Sequence, residues 1–313
     1  MSKKEKTNSS AAATPTAKPT VAIVGAGRLG TALARALVSR GYTITAMVAR
    51  RLRSARAMVE IAGAHSAQAL NSTKLNLLPP TDLIFITTPD DLIAPTAVRL
   101  SKIASNKRSV ALHMSGALSS AELISLRKRG CAVGSLHPLI AVSDPVSGAE
   151  NLRGAFFSVE GDRRAVNAAR GIVRDLEGET FSINSANKAL YHASAVVASG
   201  HTVALFDVAI ELLARCGLSE SEARRALLPL LRTTLENLLA EEPARALTGT
   251  FARADAATVR RHLAALKKQS IVGALELYAL LGKRSLRLAA LQGAAEKVLR
   301  EVEVLLNGIE KPG

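Results

Sequence analysis

Side chains able to move protons or hold anions cluster at a few places in this 313-residue chain. His113-Met114-Ser115 and His137-Pro138 each follow a short apolar run, and Lys188 precedes His192 by four residues. Imidazole can donate, accept or shuttle a proton near neutral pH. A lone strand-end histidine is usually a hydrogen-bonded loop residue, whereas two delivered to the same sheet edge leave a structural and a functional role evenly balanced. Lys188, His192 and Ser199 fall on one helical stripe, which could line a cleft. Arg253 is a planar donor able to grip a carboxylate with two bonds; a salt bridge to Asp255 or simple exposure are its alternatives.

An anion site is legible nearer the start. Val21–Val24 is an apolar run, followed by Gly25-Ala-Gly27-Arg28-Leu29-Gly30 and then by apolar residues at helical spacing through Ser39. In this strand–turn–helix context Gly25 permits the turn, Gly27 lets backbone approach a pyrophosphate, and Gly30 lets helix and strand pack closely. The phosphates would sit at the helix N-terminus, where free N–H groups and the helix dipole favour negative charge. An NAD-selective site places an acid roughly twenty residues further on, against the ribose hydroxyls. Here Arg50, Arg51 and Arg53 stand instead, and no acid appears until Glu60. Guanidinium groups suit a 2′-phosphate, so the expected coenzyme is NADP(H); the alternative is that these arginines merely solvate the next helix.

The elements that must position these residues read as α/β. Apolar runs at Tyr42–Val48, Asp82–Thr88, Ser109–His113, Ala132–Leu136, Ala155–Val159 and Thr180–Ile183 alternate with helical segments, which is the pattern of a doubly wound parallel sheet. Ligands of such sheets bind beyond the carboxyl ends of the strands, so Thr87, Thr88 and Pro89 should lie along the coenzyme. Asp90 or Asp91 is expected to cap a helix, and Ser119-x-x-Glu122 to form a capping box. From Ala186 strand patterning gives way to helices. The expected division is a disordered tail over 1–20, a Rossmann domain over 21–184 and an all-helical domain over 185–313. The latter opens with one long buried helix, Ala186–Cys216, closed by Gly217. Ser219–Leu239, Val272–Leu281 and Leu286–Leu306 are the next helices, with 247–255 a loop.

Composition excludes several classes. At 48% hydrophobic residues the chain is globular rather than disordered. The net charge of +15 is spread along the sequence and aromatics are only 3%, which argues against a nucleic-acid platform. Cys131 and Cys216 lack metal or redox spacing, so no metal is expected, and they fit a reducing cytoplasm. The apolar stretch Ala189–Ala214 contains His192, His201 and Asp207, against a membrane span. The abundant Leu and Ala of the C-terminal helices point to a homodimer.

Together, Gly25–Gly30, His113-Met-Ser115-Gly116-Ala-Leu-Ser119, Gly134-Ser-Leu-His137-Pro138, Lys188-Ala-Leu-Tyr191-His192-Ala and Leu247-Thr248-Gly249 with Arg253, Asp255, Thr258 and His262 resemble the superfamily of 6-phosphogluconate dehydrogenase, ketopantoate reductase and pyrroline-5-carboxylate reductase. They look more closely like a bacterial family with a Rossmann-like domain and a C-terminal helical domain of unknown function. That family would lead one to expect Pro at Thr250, Gly at Ala254 and often Asn at Gly200. The resemblance implies an NADPH-dependent reductase acting on C=O or C=N of a small carboxylate-bearing substrate, with ketopantoate the first choice and a cyclic imine next. It makes Lys188 the proton donor, with His192, Ser115 or His137 orienting or sharing the proton. Ser115 would also meet the coenzyme, while His113, Ser199 and Arg253 would meet substrate. The competing class is a non-catalytic NADP-binding sensor.

Overall fold

The structure, a computed structural model, describes residues 17–25, 27–103, 109–269 and 271–309. The strands are β1 (Val21–Val24), β2 (Ile44–Ala49), β3 (Gln68–Asn71), β4 (Leu83–Ile86), β5 (Val110–His113), β6 (Ala132–Pro138), β7 (Phe156–Gly161) and β8 (Glu179–Ser182). The helices interleaved with them are α1 (Arg28–Ser39), α2 (Leu52–Ala62), α3 (Asp90–Leu100), α4 (Ile124–Arg127), α5 (Pro145–Asn151) and α6 (Arg163–Asp175). There follow α7 (Lys188–Ala198), α8 (Gly200–Ala214), α9 (Glu220–Ala240), α10 (Pro243–Ala246), α11 (Gly249–Ala252), α12 (Ala256–Lys268), α13 (Ala274–Leu291) and α14 (Glu296–Asn307).

One sheet runs in the order β3-β2-β1-β4-β5-β6-β7-β8. Its first six strands are parallel, and each presents alternate residues to two apolar cores. Val21, Ile23, Met47 and Phe85 enter one core, and Ala22, Val24, Val48 and Ile86 the other. Burial on both faces explains why these strands are apolar throughout rather than alternating. The α/β fold is therefore as expected, but the sheet is not wholly parallel. After β6 the chain passes through α5 and re-enters at the same edge, with Leu139 N–H on the Phe156 carbonyl, so β7 runs antiparallel to β6.

The glycine turn is built around Thr87. Gly25 has φ +138°, and a Cβ there would lie 2.5 Å from the Thr87 carbonyl carbon. A Cβ on Gly30 would meet Thr87 Oγ1 and stand 2.5 Å from the Gly25 carbonyl. Gly27, by contrast, faces open space, its nearest neighbour 3.9 Å away.

Several local expectations are corrected. The 1–16 part of the expected tail lies outside the described residues, but Lys18 bonds Asp175 and Thr20 bonds Asp82. Neither Asp90 nor Asp91 caps α3: Pro89 occupies the N-cap position with no side-chain cap bond, and both acids fall in the first turn. Ser119 starts a 3-10 turn, with its hydroxyl on Ala121 N–H and no return bond from Glu122. A true capping box instead joins Ser219 and Glu222 on α9.

The long helix from Ala186 to Cys216 is interrupted. Ser199 has φ −117° and ψ −73°, ending α7, and Gly200 starts α8. Ser and Gly are common kink residues, and Gly costs about 1 kcal/mol in a helix. The chain divides into compact units at this break, 1–199 and 200–313, so α7 stays with the sheet instead of opening the second domain near Asn184.

The second unit has a small core of Val259, Leu263, Leu286, Val302 and Leu306, among others. Its last two helices meet at Gly293, φ +89°, later than the sequence spacing implies. The expected loop 247–255 contains α11. Ala254 sits buried at φ +48°, a left-handed conformation that favours the glycine expected there from the sequence.

Gly30→Ala is expected to lower stability by about 1–3 kcal/mol, because Thr87 and the Gly25 carbonyl cannot both recede. An unchanged melting temperature in that variant would show that the strand–helix approach has slack.

Candidate active site

A cleft of about 820 Å³ opens at the carboxyl ends of β1, β2 and β4. Gly25 and Gly27 form one wall, and Thr87, Thr88 and Pro89 another. α1 begins at this wall with no acidic residue in its first turn, as an anion site requires. Arg50, Arg51 and Ser54 close the end beyond β2, and no Asp or Glu lines the cleft. Arg53 is exposed on α2 outside this lining, as is Arg28 in the first turn of α1. Leu29 packs against the core, and Gly30 serves packing. Sequence reasoning missed Ser54, Ser72, Leu75 and Arg99, which also line the cleft. Ser54 directly follows the arginine run and was detectable there. Ser72 and Leu75 follow β3, a strand too short and mixed to be read. The Thr88 hydroxyl is buried without a partner, leaving a polar atom for a ligand at the cleft wall.

The second cluster sits beyond β5 and β6, where parallel register places His113 opposite Ser135. Lys188, at the start of α7, is only 1% exposed. Its ammonium donates to Ser135 Oγ at 2.5 Å and to the Ser115 carbonyl at 3.1 Å. Burial draws its pKa down, opposed by the carboxylates of Glu160 and Asp90.

The Ser115 hydroxyl is fully engaged. It donates to Asp90 Oδ2 at 2.9 Å and accepts from the N–H groups of Ala117 and Leu118 at 3.1 Å each. It therefore staples its loop to α3, and Asp90 belongs to this network.

His113 is 0% exposed. Ser115 N–H donates to its Nδ1 at 3.2 Å, which places the ring proton on Nε2. Burial, with the Lys188 charge adding, holds His113 at about 4. His113 is thus sealed beneath the loop and does not face substrate space.

His137 and the α7 residues make the open side of the cluster. His137 Nδ1 lies 2.7 Å from Tyr191 Oη. The His137 ring packs edge-on against Tyr191 and His192, with centroids 5.6 Å and 5.9 Å apart. Both histidines press on Gly116: a Cβ there would fall 2.6 Å from His192 Cδ2 and 2.9 Å from His137 Nε2. Burial, then the Lys188 charge, lowers His137 to about 4.

Lys188, His192, Ser115, His137 and His113 are thus brought together. Ser199 is not. It is exposed at the far end of α7, about 16 Å along the axis from Lys188 by helix rise. Arg253 lies exposed after α11 in the other unit. There Asp255 is held low by the Thr258 N–H and hydroxyl that it caps, the Arg253 charge contributing less. Tyr191 stands within the Lys188–His192 motif, and the sequence assigns it no role there. Its signal was its place one residue before His192.

Residues 20–111 match the family model described as NADP oxidoreductase coenzyme F420-dependent, and residues 155–285 match DUF2520, a domain of unknown function. The chain is an NADP-dependent oxidoreductase. The first match falls within the parallel part of the sheet, and the second runs from β7 into α13. Among solved structures it is similar to a Thermotoga maritima protein, at 25% identity and TM-score 0.69, over 87% of this chain and 99% of that one. A Bacteroides fragilis protein assigned as an NADP oxidoreductase aligns at 22% identity and TM-score 0.70, over 86% and 98%. Pyrroline-5-carboxylate reductase from Coxiella burnetii aligns at 14% and TM-score 0.53, over 93% and 98%. At those last two identities the likeness concerns the fold. No curated protein matches the chain.

Neutral buried histidines make the oxidoreductase acid-sensitive. Below about 6.5 the unfolded chain binds protons that His113 and His137 refuse until about 4, so stability falls as pH drops through that window. For fully buried His113 the slope should approach about 1.4 kcal/mol per pH unit. Urea denaturation between those pH values should show it, and His113→Gln should flatten it. Equal slopes in the two proteins would mean that His113 is not held neutral.

Proposed function

We propose that this oxidoreductase uses NADPH to reduce the C=N or C=O bond of a small carboxylate-bearing substrate. The observation that carries this reading is the adjacency, within one unit, of a dinucleotide cleft and a proton-bearing cluster at the next strand ends. The coenzyme supplies a hydride when bound. The chain must hold it, exclude water, and furnish one proton to the atom that gains the electron pair. Gly25, Gly27 and the start of α1 would receive the pyrophosphate, and Arg50, Arg51 and Ser54 the 2′-phosphate. Ketopantoate and cyclic imines such as pyrroline-5-carboxylate are the substrates to examine first. The fold shared with a pyrroline-5-carboxylate reductase supports the imine.

The role of Lys188 differs from that of a substrate-facing donor. With its ammonium sealed between Ser115 and Ser135, it acts as a positioning residue that ties α7 to the β5 and β6 ends.

A homodimer belongs to this reading. Within Ser185–Ala214 an 18-residue window is apolar enough to cross a membrane, yet none of that window is buried within the chain, so this stretch is not the buried helix its composition implies. In the C-terminal unit Val203 is 70% and Leu239 88% exposed. Patches of that size need cover. A second copy suits them better than lipid, because Asp207 and His201 lie in the same helix. Light scattering should return twice the chain mass; a monomer without detergent would remove the dimer.

NADPH oxidation against a panel of 2-keto acids and cyclic imines, with NADH alongside, tests the function. Arg50→Ala and Arg51→Ala should each lower kcat/KM for NADPH about 10- to 100-fold, the worth of a charge-assisted hydrogen bond, and spare NADH. A preference for NADH in the unaltered protein would show that the arginines hold no phosphate.

A further inference from the structure

We infer that Tyr191 protonates the reduced substrate, and that His137 behind it restores the Tyr191 proton. This rests on the reductase reading above and specifies its acid. The geometry separates the cluster into a sealed part and an open part. Lys188, His113, Ser115 and Ser135 are buried, and apart from His113 Nε2, which is buried without a hydrogen-bond partner, their polar atoms bond one another, Asp90 or backbone. His137, Tyr191 and His192 are half-buried and make the part reachable by a ligand.

Within that open part the phenol of Tyr191 is the fixed acid. Its Oη is 2.7 Å from His137 Nδ1, and its ring is held edge-on between His137 and Phe181, whose centroid is 5.8 Å away. α7 carries Tyr191 one turn after Lys188, so the Lys188 anchor at Ser115 and Ser135 also sets where Tyr191 stands. The other nitrogen of His137 opens on the Cβ-free face of Gly116, beside the His192 edge. The Tyr191 hydroxyl, the His137 ring and the His192 edge therefore adjoin one another.

The proton inventory agrees. Burial raises the Tyr191 pKa, opposed by the buried Ser158 hydroxyl beside it, and the phenol keeps its proton at neutral pH. It would surrender it only to a much stronger base, such as the amide anion or alkoxide formed when hydride reaches carbon. In that step the C=N or C=O π pair moves to nitrogen or oxygen, which takes the phenolic hydrogen as the O–H bond breaks. The phenolate then takes the Nδ1 hydrogen of His137 while Nε2 accepts one from solvent. The substrate gains one hydride and one proton, and His137 is left as its Nε2–H tautomer. Once product has left, a solvent proton reaches Tyr191 Oη, Tyr191 passes its earlier hydrogen back to Nδ1 and Nε2 gives its own to solvent, which restores the starting state.

Tyr191→Phe keeps the ring packing and removes the acid. It should lower kcat about 10²- to 10⁴-fold, with NADPH affinity by fluorescence titration and the melting temperature unchanged. Near-normal kcat would overturn the assignment. A readout without substrate is the long-range proton–nitrogen NMR spectrum of His137. The relay requires the hydrogen on Nδ1, donated to Tyr191; a hydrogen on Nε2, with Tyr191 donating inward, would leave no proton for substrate and would also overturn it. If the unaltered protein oxidises NADPH with no imine or keto acid, the reductase reading fails instead, and the Tyr191→Phe titration would still show NADPH bound.

Discussion

The bond on which the site depends is the buried one between the Lys188 ammonium and its pair of acceptors, the Ser115 carbonyl and Ser135 Oγ. An ammonium taken out of water is costly unless its donors are met. Here they are met by groups at the ends of adjacent strands, so the first turn of α7 is fastened to β5 and β6 together. Every other member of the cluster is placed relative to this fastening. The Ser115 loop is closed by its own hydroxyl onto Asp90, which ties α3 into the same framework. Glu160, on β7, accepts from Ser120 and supplies a second carboxylate near the ammonium.

Much of this was legible in the sequence where a rule of local geometry applied. Gly25, Gly27 and Gly30 are readable because a turn, an open approach and a close packing each demand the absence of Cβ. The strand ends carrying His113 and His137 are readable because doubly buried strands are continuous apolar runs. What was not legible is what depends on tertiary distance. Spacing alone puts Lys188, His192 and Ser199 on one stripe, but it cannot show that the first is sealed and the last lies at the opposite end of α7. The break at Ser199 and Gly200 was hidden because apolar residues continue through it. Arg53 looks equivalent to Arg50 and Arg51 until the first turn of α2 rotates it out of the cleft. Tyr191 could not be distinguished from a core aromatic without its 2.7 Å partner.

The helical unit shows the converse limit. Hydrophobic content correctly announces helices, yet it does not say what covers them. Its core is drawn chiefly from α12, α13 and α14, whereas of α8 and α9 only Ala223 is buried. A sequence rich in Leu and Ala reads as interior in either case, because burial within one chain and burial between copies use the same residues.

The electrostatics of the cluster follow from allowing it a single sealed cation. Low dielectric makes neighbouring like charges expensive, and Lys188 stands near both His113 and His137. Burial draws the Lys188 pKa down while Glu160 and Asp90 oppose it, and burial, with the Lys188 charge adding, holds the imidazoles neutral. That division has a chemical consequence. A protonated His137 would offer no lone pair, and a chain of bonds through it could pass a proton in only one direction. Kept neutral, the ring has one nitrogen to give and one to receive, which is the condition for relaying protons without accumulating charge. The sealed lysine thus shapes the proton path through its field as well as through its position, even though its own hydrogens stay bound to Ser115 and Ser135.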